Sequence, residues 1–338
     1  MDILIKSFNR PYYLDRCLFS IHKFVSGDYN VIVLDDGTPE KYLHKIQQKY
    51  PNITIRRSEN SQKKALAIAE NLKSGAEIDG FQIPVSLWIE AAENASEYFI
   101  ITEDDVWFTE KINLNDLQAK AEKFQINLLK LGWLGNTKDD IHNYNFSIST
   151  DLEAVQPKNL FLANKAIMDA FFNNKYRFYS ALYKLKVVDH FTRNKYWALN
   201  SILMGLYKKE YWLEIWKGMD GKVDEKKQLI NASVFYKKHQ KNPNFIARLK
   251  QEAMKTTFQS SATNSYHQYG YNFDVNLFNH LINDAWYNEN FDVLENFPKD
   301  FNIDYFELNI KDKMDVEEFR KWVSHFKNQY QNLGADVD

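Results

Sequence analysis

Three carboxylates in a row, Glu103, Asp104 and Asp105, are the residues most suited to chemistry. They directly follow the β-prone run 98–102, and the apolar run 106–108 comes straight after them. Adjacent acids repel each other and apolar flanks exclude water, so the cluster is costly in a folded core unless a cation neutralises it. Oxygen ligands at a strand end suit Mg²⁺ or Mn²⁺, and these ions suit a diphosphate. The alternative is a solvated acidic turn, because most runs of acids face water.

The elements that must position these acids alternate over the first hundred residues. Short apolar runs are followed by segments whose apolar residues recur at helical spacing. Such alternation is typical of an α/β fold with a parallel sheet and right-handed crossovers. Strands are predicted at 2–6, 31–34, 53–56 and 98–102, and helices at 11–21, 42–50, 61–73 and 85–95.

Polar loops follow three of these strands, at 7–10, 35–38 and 103–105. In parallel sheets, ligands bind beyond the carboxyl ends of the strands. The three loops are therefore predicted to converge on one crevice, although they lie far apart in the sequence.

Composition argues against several classes of protein. The chain has 338 residues and a formal net charge of −2, which disfavours a protein whose whole surface binds nucleic acid. The single cysteine, Cys17, cannot form an internal disulfide, so a buried thiol in a reducing compartment is predicted. No run reaches the ~20 apolar residues that span a bilayer, and the first residues do not resemble a signal peptide. A cytoplasmic protein is therefore predicted.

Three segments resemble motifs of a known enzyme family. Ser-Phe-Asn-Arg-Pro at 7–11, followed by Cys-Leu-Phe-Ser-Ile at 17–21, resembles the opening of family 2 glycosyltransferases. The run 31–38 is similar to their second-strand motif, and 103–105 resembles the Asp-X-Asp signature of the GT-A fold in a Glu-Asp-Asp form. The resemblance implies a GT-A fold, with a mostly parallel sheet flanked by helices and a helical C-terminal extension. It also implies a transferase that uses a nucleotide-diphospho-sugar.

Carried over residue by residue, the resemblance assigns roles to the strand-end loops. Phe8 would pack on the nucleobase and Asp36 would hydrogen-bond its edge, while Asp104 would lie near the ribose or the water shell of the metal. Asp105, with Glu103, would bind the divalent ion that bridges the phosphates. The full set implied for the nucleotide sugar is Ser7, Phe8, Asn9, Arg10, Asp35, Asp36, Lys63 and Asp104.

Alternatives stay open for several of these residues. Phe8 is otherwise a core aromatic, Asp35 a cap for its own turn, and Arg10 an anchor for its loop rather than a phosphate ligand. The segment 60–65 lacks a glycine that is common in the family. Either Lys63 or Lys64 of this segment reaches the nucleobase or a phosphate of the donor. The alternative is that both lysines belong to a solvated helix face.

A catalytic base is expected near the end of the sheet. An inverting transferase needs a carboxylate that deprotonates the acceptor hydroxyl. Family 2 members place this acid in a loop that enters a helix, and Asp224 has a similar position, with Asp220 and Glu225 as further candidates. Asp224 is otherwise a helix N-cap. The long polar loop 256–270 predicts a lid, in which His267 is expected to bind the metal or to be an ordinary surface histidine.

The second half of the chain contains a segment that could bind the acceptor of the sugar. The segment 173–217 is basic and aromatic, which favours a solvated helical lobe, a sugar-acceptor site or a peripheral contact with an anionic membrane at its inner face. Two domains are predicted: a GT-A nucleotide-sugar-binding and catalytic domain at 1–240, and a helical C-terminal lobe with the lid at 241–338.

The leading hypothesis is a metal-dependent glycosyltransferase that moves a sugar from a nucleotide-diphospho-sugar, UDP favoured over GDP, to a hydroxyl of a saccharide or lipid-linked saccharide. Mn²⁺ or Mg²⁺ is the implied cofactor. The family resemblance implies inversion and a role in bacterial surface polysaccharide or glycolipid synthesis, and no nucleic acid partner is expected. One alternative is a GT-A scaffold that binds nucleotide sugars without turning them over. Another is a receiver-like phosphoacceptor module, but its acid pair belongs at the first strand and here the pair follows the second.

Overall fold

A nine-stranded sheet forms the centre of the computed structural model, which describes residues 1–75, 82–136, 138–260 and 270–337. Among the helices of these ranges, none has the length and apolar character needed to cross a bilayer. The strands are β1 (Asp2–Ser7), β2 (Val25–Ser26), β3 (Asn30–Asp35), β4 (Thr54–Arg57), β5 (Tyr98–Glu103), β6 (Val106–Phe108), β7 (Ile112–Asn113), β8 (Leu128–Lys130), β9 (Asn143–Ser147), β10 (Leu152–Pro157), β11 (Gly205–Lys208), β12 (Ile246–Leu249) and β13 (Met254–Thr256). The helices are α1 (Pro11–Phe24), α2 (Glu40–Lys49), α3 (Ser61–Ser74), α4 (Val85–Asn94), α5 (Leu114–Lys123), α6 (Lys165–Asn173), α7 (Phe178–Lys184), α8 (Lys209–Trp216), α9 (Glu225–His239), α10 (Val275–Tyr287), α11 (Ile303–Ile310) and α12 (Val316–Leu333).

Most strands of the large sheet run in one direction. The order is β4-β3-β1-β5-β11-β8-β12-β10-β9, and β4, β3, β1 and β5 are parallel neighbours. β11 is antiparallel to β5 and β8, β12 is parallel to β8, and β10 is antiparallel to β12 and β9. Nine strands less β11 and β10 leave seven that share a direction. The predicted α/β fold, with a mostly parallel sheet flanked by helices, is confirmed.

The first strand is buried on both faces of this sheet. Ile3 and Ile5 belong to one apolar core, whereas Leu4 belongs to a second core that includes Trp212 of α8. Successive side chains on a strand point to opposite faces, so a central strand of a parallel sheet is apolar throughout. Cys17 of α1 lies in the first core, where burial raises the pKa of its thiol, as expected for a structural cysteine.

Residues near the C-terminus complete the sheet and hold the first loop. β12 lies inside the sheet, although it follows the boundary predicted after residue 240. Trp286 of α10 donates from Nε1 to Asp15 of α1 at 2.9 Å. Asn283, also in α10, donates from Nδ2 to the carbonyl oxygen of Asn9 at 3.0 Å. Asn9 has a φ of 51°, so a left-handed backbone position in the first strand-end loop is held by the C-terminal helices.

The turn that ends β3 brings the backbone close to its neighbours. Asp35 accepts hydrogen bonds from the backbone N–H groups of Gly37 at 3.1 Å and Thr38 at 3.2 Å. Gly37 has a φ of +140°, and a Cβ there would lie 2.9 Å from Cβ of Lys64 and 3.2 Å from Cε2 of Phe8. Only glycine fits this position. Asp35 is fully buried, and burial raises its pKa to about 6 although the hydrogen bonds act in the opposite direction.

Replacement of Asp35 by Asn is expected to change how stability depends on pH. The pKa of Asp35 is about 6 in the folded protein, against ~3.9 in an unfolded chain, so its contribution to wild-type stability falls as the pH rises through this window. Asn does not titrate. The free energy of unfolding of Asp35→Asn relative to wild type should therefore rise by about 1.4 kcal/mol per pH unit between about pH 4 and about pH 6. Urea unfolding across this range measures the difference, and a difference that stays constant with pH would contradict the prediction.

Candidate functional site

The three strand-end loops meet at one edge of the sheet. Asp104 accepts hydrogen bonds through Oδ2 from the Ser7 hydroxyl and from the Phe8 backbone N–H, each at 3.0 Å. The backbone N–H of Asp36 donates to the carbonyl oxygen of Ser7 at 3.0 Å. These contacts follow from the order of the sheet, because β1 lies between β3 and β5 and the loops leave the carboxyl ends of all three strands.

A cleft of about 410 Å³ opens at this edge. Ser7, Phe8, Arg10, Asp36, Glu103 and Asp104 contribute to its lining, together with side chains from α3, α4, α8 and α9. Six of the predicted nucleotide-sugar and metal residues therefore line one cavity, although their sequence positions span almost a hundred residues. One ligand could therefore contact the Phe8 ring, several carboxylates and several cations, since all of them line the same cleft.

A buried ion cluster adjoins the cleft, with Arg10 and Asp104 in the lining and Asp105 behind them. Arg10 is 4% exposed and donates from Nη2 to Asp104 at 2.5 Å and from Nη1 to Asp105 at 2.8 Å. Burial raises the pKa of Asp104 to about 7, with Arg10 acting in the opposite direction and Asp105 adding repulsion. Burial likewise raises the pKa of Asp105. For Arg10, burial opposes the charge, but the two carboxylates prevail and raise the pKa of the guanidinium, which stays charged.

The predicted metal ligands differ in how they are engaged. Within the described part of the chain, Oδ1 of Asp105 is buried and has no hydrogen-bond partner. Glu103 is paired with Lys6 at 2.6 Å. No group of three His, Cys, Asp or Glu side chains suited to a metal is found among the described residues. His267 lies outside the described residues. Asp105 does not itself line the cleft, its counter-charge in the structure is Arg10, and its Oδ1 is the oxygen through which it would bind a divalent ion.

The residue predicted to read the nucleobase is also held in place. Asp36 accepts from the Ser58 hydroxyl at 2.6 Å through Oδ1 and from the Lys64 ammonium through Oδ2. Burial raises the pKa of Asp36, while Lys64 and Ser58 act in the opposite direction. Lys64 is 2% exposed and also donates to the carbonyl oxygen of Gln82 at 2.7 Å.

The basic residue of α3 in the cleft is Lys64 rather than Lys63. Lys63 is exposed and does not line the cavity. The sequence contains a signal for this choice, because Lys64 and Ile68 are four residues apart, share one face of α3 and both line the cleft. A buried apolar partner at that spacing distinguishes the inward lysine from its solvated neighbour.

Two other predicted residues support the cleft without lining it. Asn9 is buried, its backbone N–H donates to the Thr38 hydroxyl at 2.9 Å, and it is held by Asn283. Asp35 caps its own turn, which is the alternative interpretation offered by the sequence. Asn9 thereby joins the first and second strand-end loops, whereas Asp35 fixes the second loop.

The structure places the candidate catalytic bases outside the cleft lining, and Asp224 lines a separate small pocket with residues of α6 and α9. Asp224 is the N-cap of α9 and accepts from the backbone N–H of Lys227 at 2.9 Å, as the alternative interpretation holds. Asp220, Asp224 and Glu225 are exposed and do not line the cleft. Only Val223 of this loop reaches the cavity lining. The three assignments stay predictions.

Three tryptophans form a wall of the cleft, the tryptophan wall, and two of them belong to the segment 173–217, for which the sequence left a sugar-acceptor site open. Trp88, Trp212 and Trp216 line the cleft opposite the strand-end loops, with Trp88 and Trp216 edge to face at 5.5 Å and Trp212 and Trp216 stacked at 5.1 Å. Lys6 lies 5.0 Å from the ring centre of Trp88. The four-residue spacing of Trp212 and Trp216 within a helix was the available signal. Trp88 comes from a different helix, which only the folded chain brings near.

Comparison with known proteins gives one family match. Residues 2–73 match the family model described as Glycosyl transferase family 2, a segment that holds the first two strand-end loops and most of α3. No curated protein matches the chain.

Solved structures give weak likenesses. The chain is similar to residues 1–349 of S. aureus TarS in complex with UDP-GlcNAc, at 12% identity and a TM-score of 0.44, over 96% of this chain and 80% of that one. For another structure of S. aureus TarS the values are 11% identity and a TM-score of 0.40, and this chain spans only 43% of that one. A galactosyltransferase, LgtC, in complex with donor and acceptor sugar analogues gives 12% identity and a TM-score of 0.32 over 76% of this chain and 86% of that one.

These structural likenesses are too low to carry an argument. The family match covers the residues whose motifs predicted it, from the loop after β1 to the turn after β3 and the helix that supplies Lys64. The predicted resemblance to glycosyltransferase family 2 is therefore confirmed over residues 2–73.

Proposed function

We propose that the chain transfers a sugar from a nucleotide-diphospho-sugar, UDP in preference to GDP, to a hydroxyl of a saccharide or lipid-linked saccharide. The observation that supports this proposal best is the convergence of three strand-end loops on one cleft with a ring, a base-reading carboxylate and a buried ion cluster. A family 2 match over the same loops agrees with it. The proposed division of the chain is a nucleotide-sugar and catalytic unit at 1–240 and a helical lobe at 241–338.

Each residue type in the cleft suits one part of such a donor. The Phe8 ring offers a face on which a base stacks, and the carboxylate of Asp36 accepts an N–H from the edge of uracil. Lys6, Arg10 and Lys64 bring positive charge to the same cavity, where a diphosphate accepts charge-assisted hydrogen bonds. The tryptophan wall offers apolar faces to sugar rings. In this proposal the nucleobase binds at Phe8 and Asp36, the base end of the cleft, and the sugar binds at the tryptophans, the sugar end.

Replacement of Phe8 by Ala tests the base end. Because stacking of a base on an aromatic side chain contributes about 1–3 kcal/mol, Phe8→Ala should weaken UDP binding by about 5- to 150-fold. Calorimetric titration with UDP measures the change. Phe124→Ala is the matched control, since Phe124 is likewise a half-buried phenylalanine but does not line the cleft. Equal affinities in wild type and Phe8→Ala would contradict the assignment of the cleft.

We further propose that Mn²⁺ or Mg²⁺ assists donor binding through Asp105, whose buried Oδ1 is the free ligand atom. A divalent ion there would offset the charge that develops on the leaving diphosphate. Glu103 and His267 are the other proposed ligands. Arg10 holds the remaining oxygen of Asp105 and fixes the carboxylate behind the cleft lining.

The variant Asp105→Asn separates the effect of the metal on UDP binding from the binding of UDP by the protein alone. In wild type, Mn²⁺ should raise the affinity for UDP at least about tenfold, since the ion bridges protein and phosphates. In Asp105→Asn the metal effect should disappear, while affinity without metal stays within about threefold, because the amide oxygen still accepts from Arg10. Calorimetry with and without Mn²⁺, and the electron paramagnetic resonance signal of free Mn²⁺, report both quantities. A wild type that binds UDP equally well with and without Mn²⁺ would overturn the metal proposal and leave the cleft assignment intact.

The proposed reaction inverts the anomeric centre, with a carboxylate of the loop before α9 as base. Asp224→Asn should lower kcat by about 10²- to 10⁴-fold with little change in UDP affinity. The parallel variants Asp220→Asn and Glu225→Gln show whether another acid of this loop has that role. Initial-rate measurements with an active donor compare kcat among these variants. Full turnover in Asp224→Asn would show that Asp224 is not the catalytic base.

A second candidate function is a nucleotide-sugar-binding scaffold without turnover. The exposed positions of Asp220, Asp224 and Glu225, outside the cleft lining, favour it. A panel of donors incubated with wild type distinguishes the two functions. Binding without hydrolysis or transfer of any donor supports the scaffold, and transfer to any acceptor excludes it. In either case we propose a cytoplasmic setting in the synthesis of bacterial surface polysaccharide or glycolipid.

A further inference from the structure

A group of large apolar side chains is exposed between α6 and the 3₁₀ turn Asn194–Leu199. Tyr176 is 100% exposed and Leu185 is 72% exposed. Tyr183, Val187 and Phe191 are exposed as well. We call these five residues the apolar face. Single exposed apolar residues need no explanation, but a cluster of this kind marks an interaction site.

Ring contacts make the apolar face continuous with a neighbouring hairpin. The Tyr183 hydroxyl is hydrogen-bonded to His190 Nε2 at 2.6 Å, and the two rings lie 4.6 Å apart. The Phe191 ring stacks on His142 at 6.0 Å. His142 immediately precedes β9 and has the exposed Ile141 beside it. The face therefore extends from α7 to the start of β9.

Basic residues are interleaved with this face. Lys175, Arg177, Lys184 and Lys186 lie between residues 170 and 188, a stretch that contains no Asp or Glu. Lys175 is paired with Asp169. Across the described ranges, no carboxylate forms a salt bridge with Arg177, Lys184 or Lys186, which are all exposed. The local charge is strongly positive in a chain whose net charge is −2.

The backbone holds Tyr176 outward at a conformational cost. Asn174, Tyr176 and Arg177 have φ values of 50°, 53° and 59°, in the left-handed region that side chains other than glycine rarely adopt. Asn174 accepts from the backbone N–H of Ser180 at 3.1 Å and so fixes the turn to the start of α7. Clustered left-handed residues persist only where their surroundings impose them, and they are concentrated at ligand-binding segments.

We propose that the apolar face docks on the surface of an anionic lipid bilayer. Tyrosine rings suit the headgroup region, Leu185, Val187 and Phe191 suit the acyl boundary, and interleaved Lys and Arg suit lipid phosphates. A protein partner or a second copy of the chain would favour a contiguous apolar patch with a polar rim, because interface cores are depleted in lysine. Here Lys184, Leu185, Lys186 and Val187 alternate cation and apolar residue and are all exposed. Binding is peripheral, since the face contains only a few insertable side chains.

The position of the face links it to the cleft. From Phe191 the chain passes through the 3₁₀ turn Asn194–Leu199 to Asn200, Ser201 and Ile202, which line the cleft. A short stretch of chain therefore joins the apolar face to the lining of the cleft. The docking itself does not depend on transferase activity, because no residue of the apolar face lines the cleft.

Sedimentation of the full chain with vesicles tests the proposal. Wild type should bind vesicles that contain phosphatidylglycerol at least about tenfold more tightly than pure phosphatidylcholine vesicles, and added salt should weaken the binding because phosphate contacts are screened. The double variants Leu185→Glu/Val187→Glu and Lys184→Glu/Lys186→Glu should each lose at least about tenfold. Matched controls are Leu308→Glu, at 63% exposure, and the exposed pair Lys311→Glu/Lys313→Glu, which should bind as wild type does.

Further measurements distinguish lost membrane binding from lost folding and from self-association. UDP affinity and the circular dichroism spectrum of each variant should equal those of wild type, which shows that lost vesicle binding is not lost folding. Equal binding to anionic and neutral vesicles, or full binding by both double variants, would overturn the proposal. Sedimentation equilibrium reports self-association, and a dimer that Leu185→Glu/Val187→Glu abolishes would assign the face to a second copy and overturn it as well. A wild type that binds vesicles but no UDP would leave docking supported and the proposed function rejected.

Discussion

A buried guanidinium between two carboxylates determines the geometry of the cleft. Arg10 comes from the loop after β1, and Asp104 and Asp105 come from the turn after β5, so their ion pairs join the ends of neighbouring strands. Burial of three charges has a large desolvation cost, which only mutual pairing and further hydrogen bonds offset. The bonds from Ser7 and Phe8 to Asp104 supply part of that compensation. Loss of one partner leaves a buried charge unpaired, which costs about 3–5 kcal/mol.

The same loop is held from the opposite end of the chain. The Tyr12 hydroxyl donates to Asn279 at 3.1 Å, and Asn283 donates to Asn9, both from α10. Trp286 adds a third contact to α1 through Asp15. Helix α10 is therefore a structural part of the site, because it holds the left-handed Asn9 between Phe8 and Arg10, which both line the cleft.

Local patterns in the sequence predicted the sheet and the meeting of the loops, but not the choice between adjacent residues. The alternation of apolar runs and helical segments is a property of each segment, and parallel pairing then forces 7–10, 35–38 and 103–105 to one edge. For the inward lysine of α3 the sequence held a signal, Ile68 four residues after Lys64, but the prediction named Lys63 and so missed it. The tryptophan wall combines α4 with α8, which are over a hundred residues apart. The exposed carboxylates of the loop before α9 matched a motif position, and motif position does not fix the direction of a side chain.

The charged side chains of the cleft are already paired with one another, which would limit how well they bind a diphosphate. Every cation of the lining already has a carboxylate partner: Lys6 with Glu103, Arg10 with Asp104 and Asp105, and Lys64 with Asp36. These three cations and the four carboxylates paired with them carry a formal charge of −1, or close to zero when Asp104, with a pKa of about 7, is protonated. Three of the four carboxylates line the cleft, and the fourth, Asp105, does not. A diphosphate brings further negative charge into the same space and must compete with these carboxylates for the cations. A divalent ion bound to Asp105 Oδ1 would supply two positive charges, so a diphosphate would not have to take the cations from their carboxylates. The internal pairing of the cleft is thus the physical reason to expect metal assistance, and it is independent of the sequence motif that first suggested it.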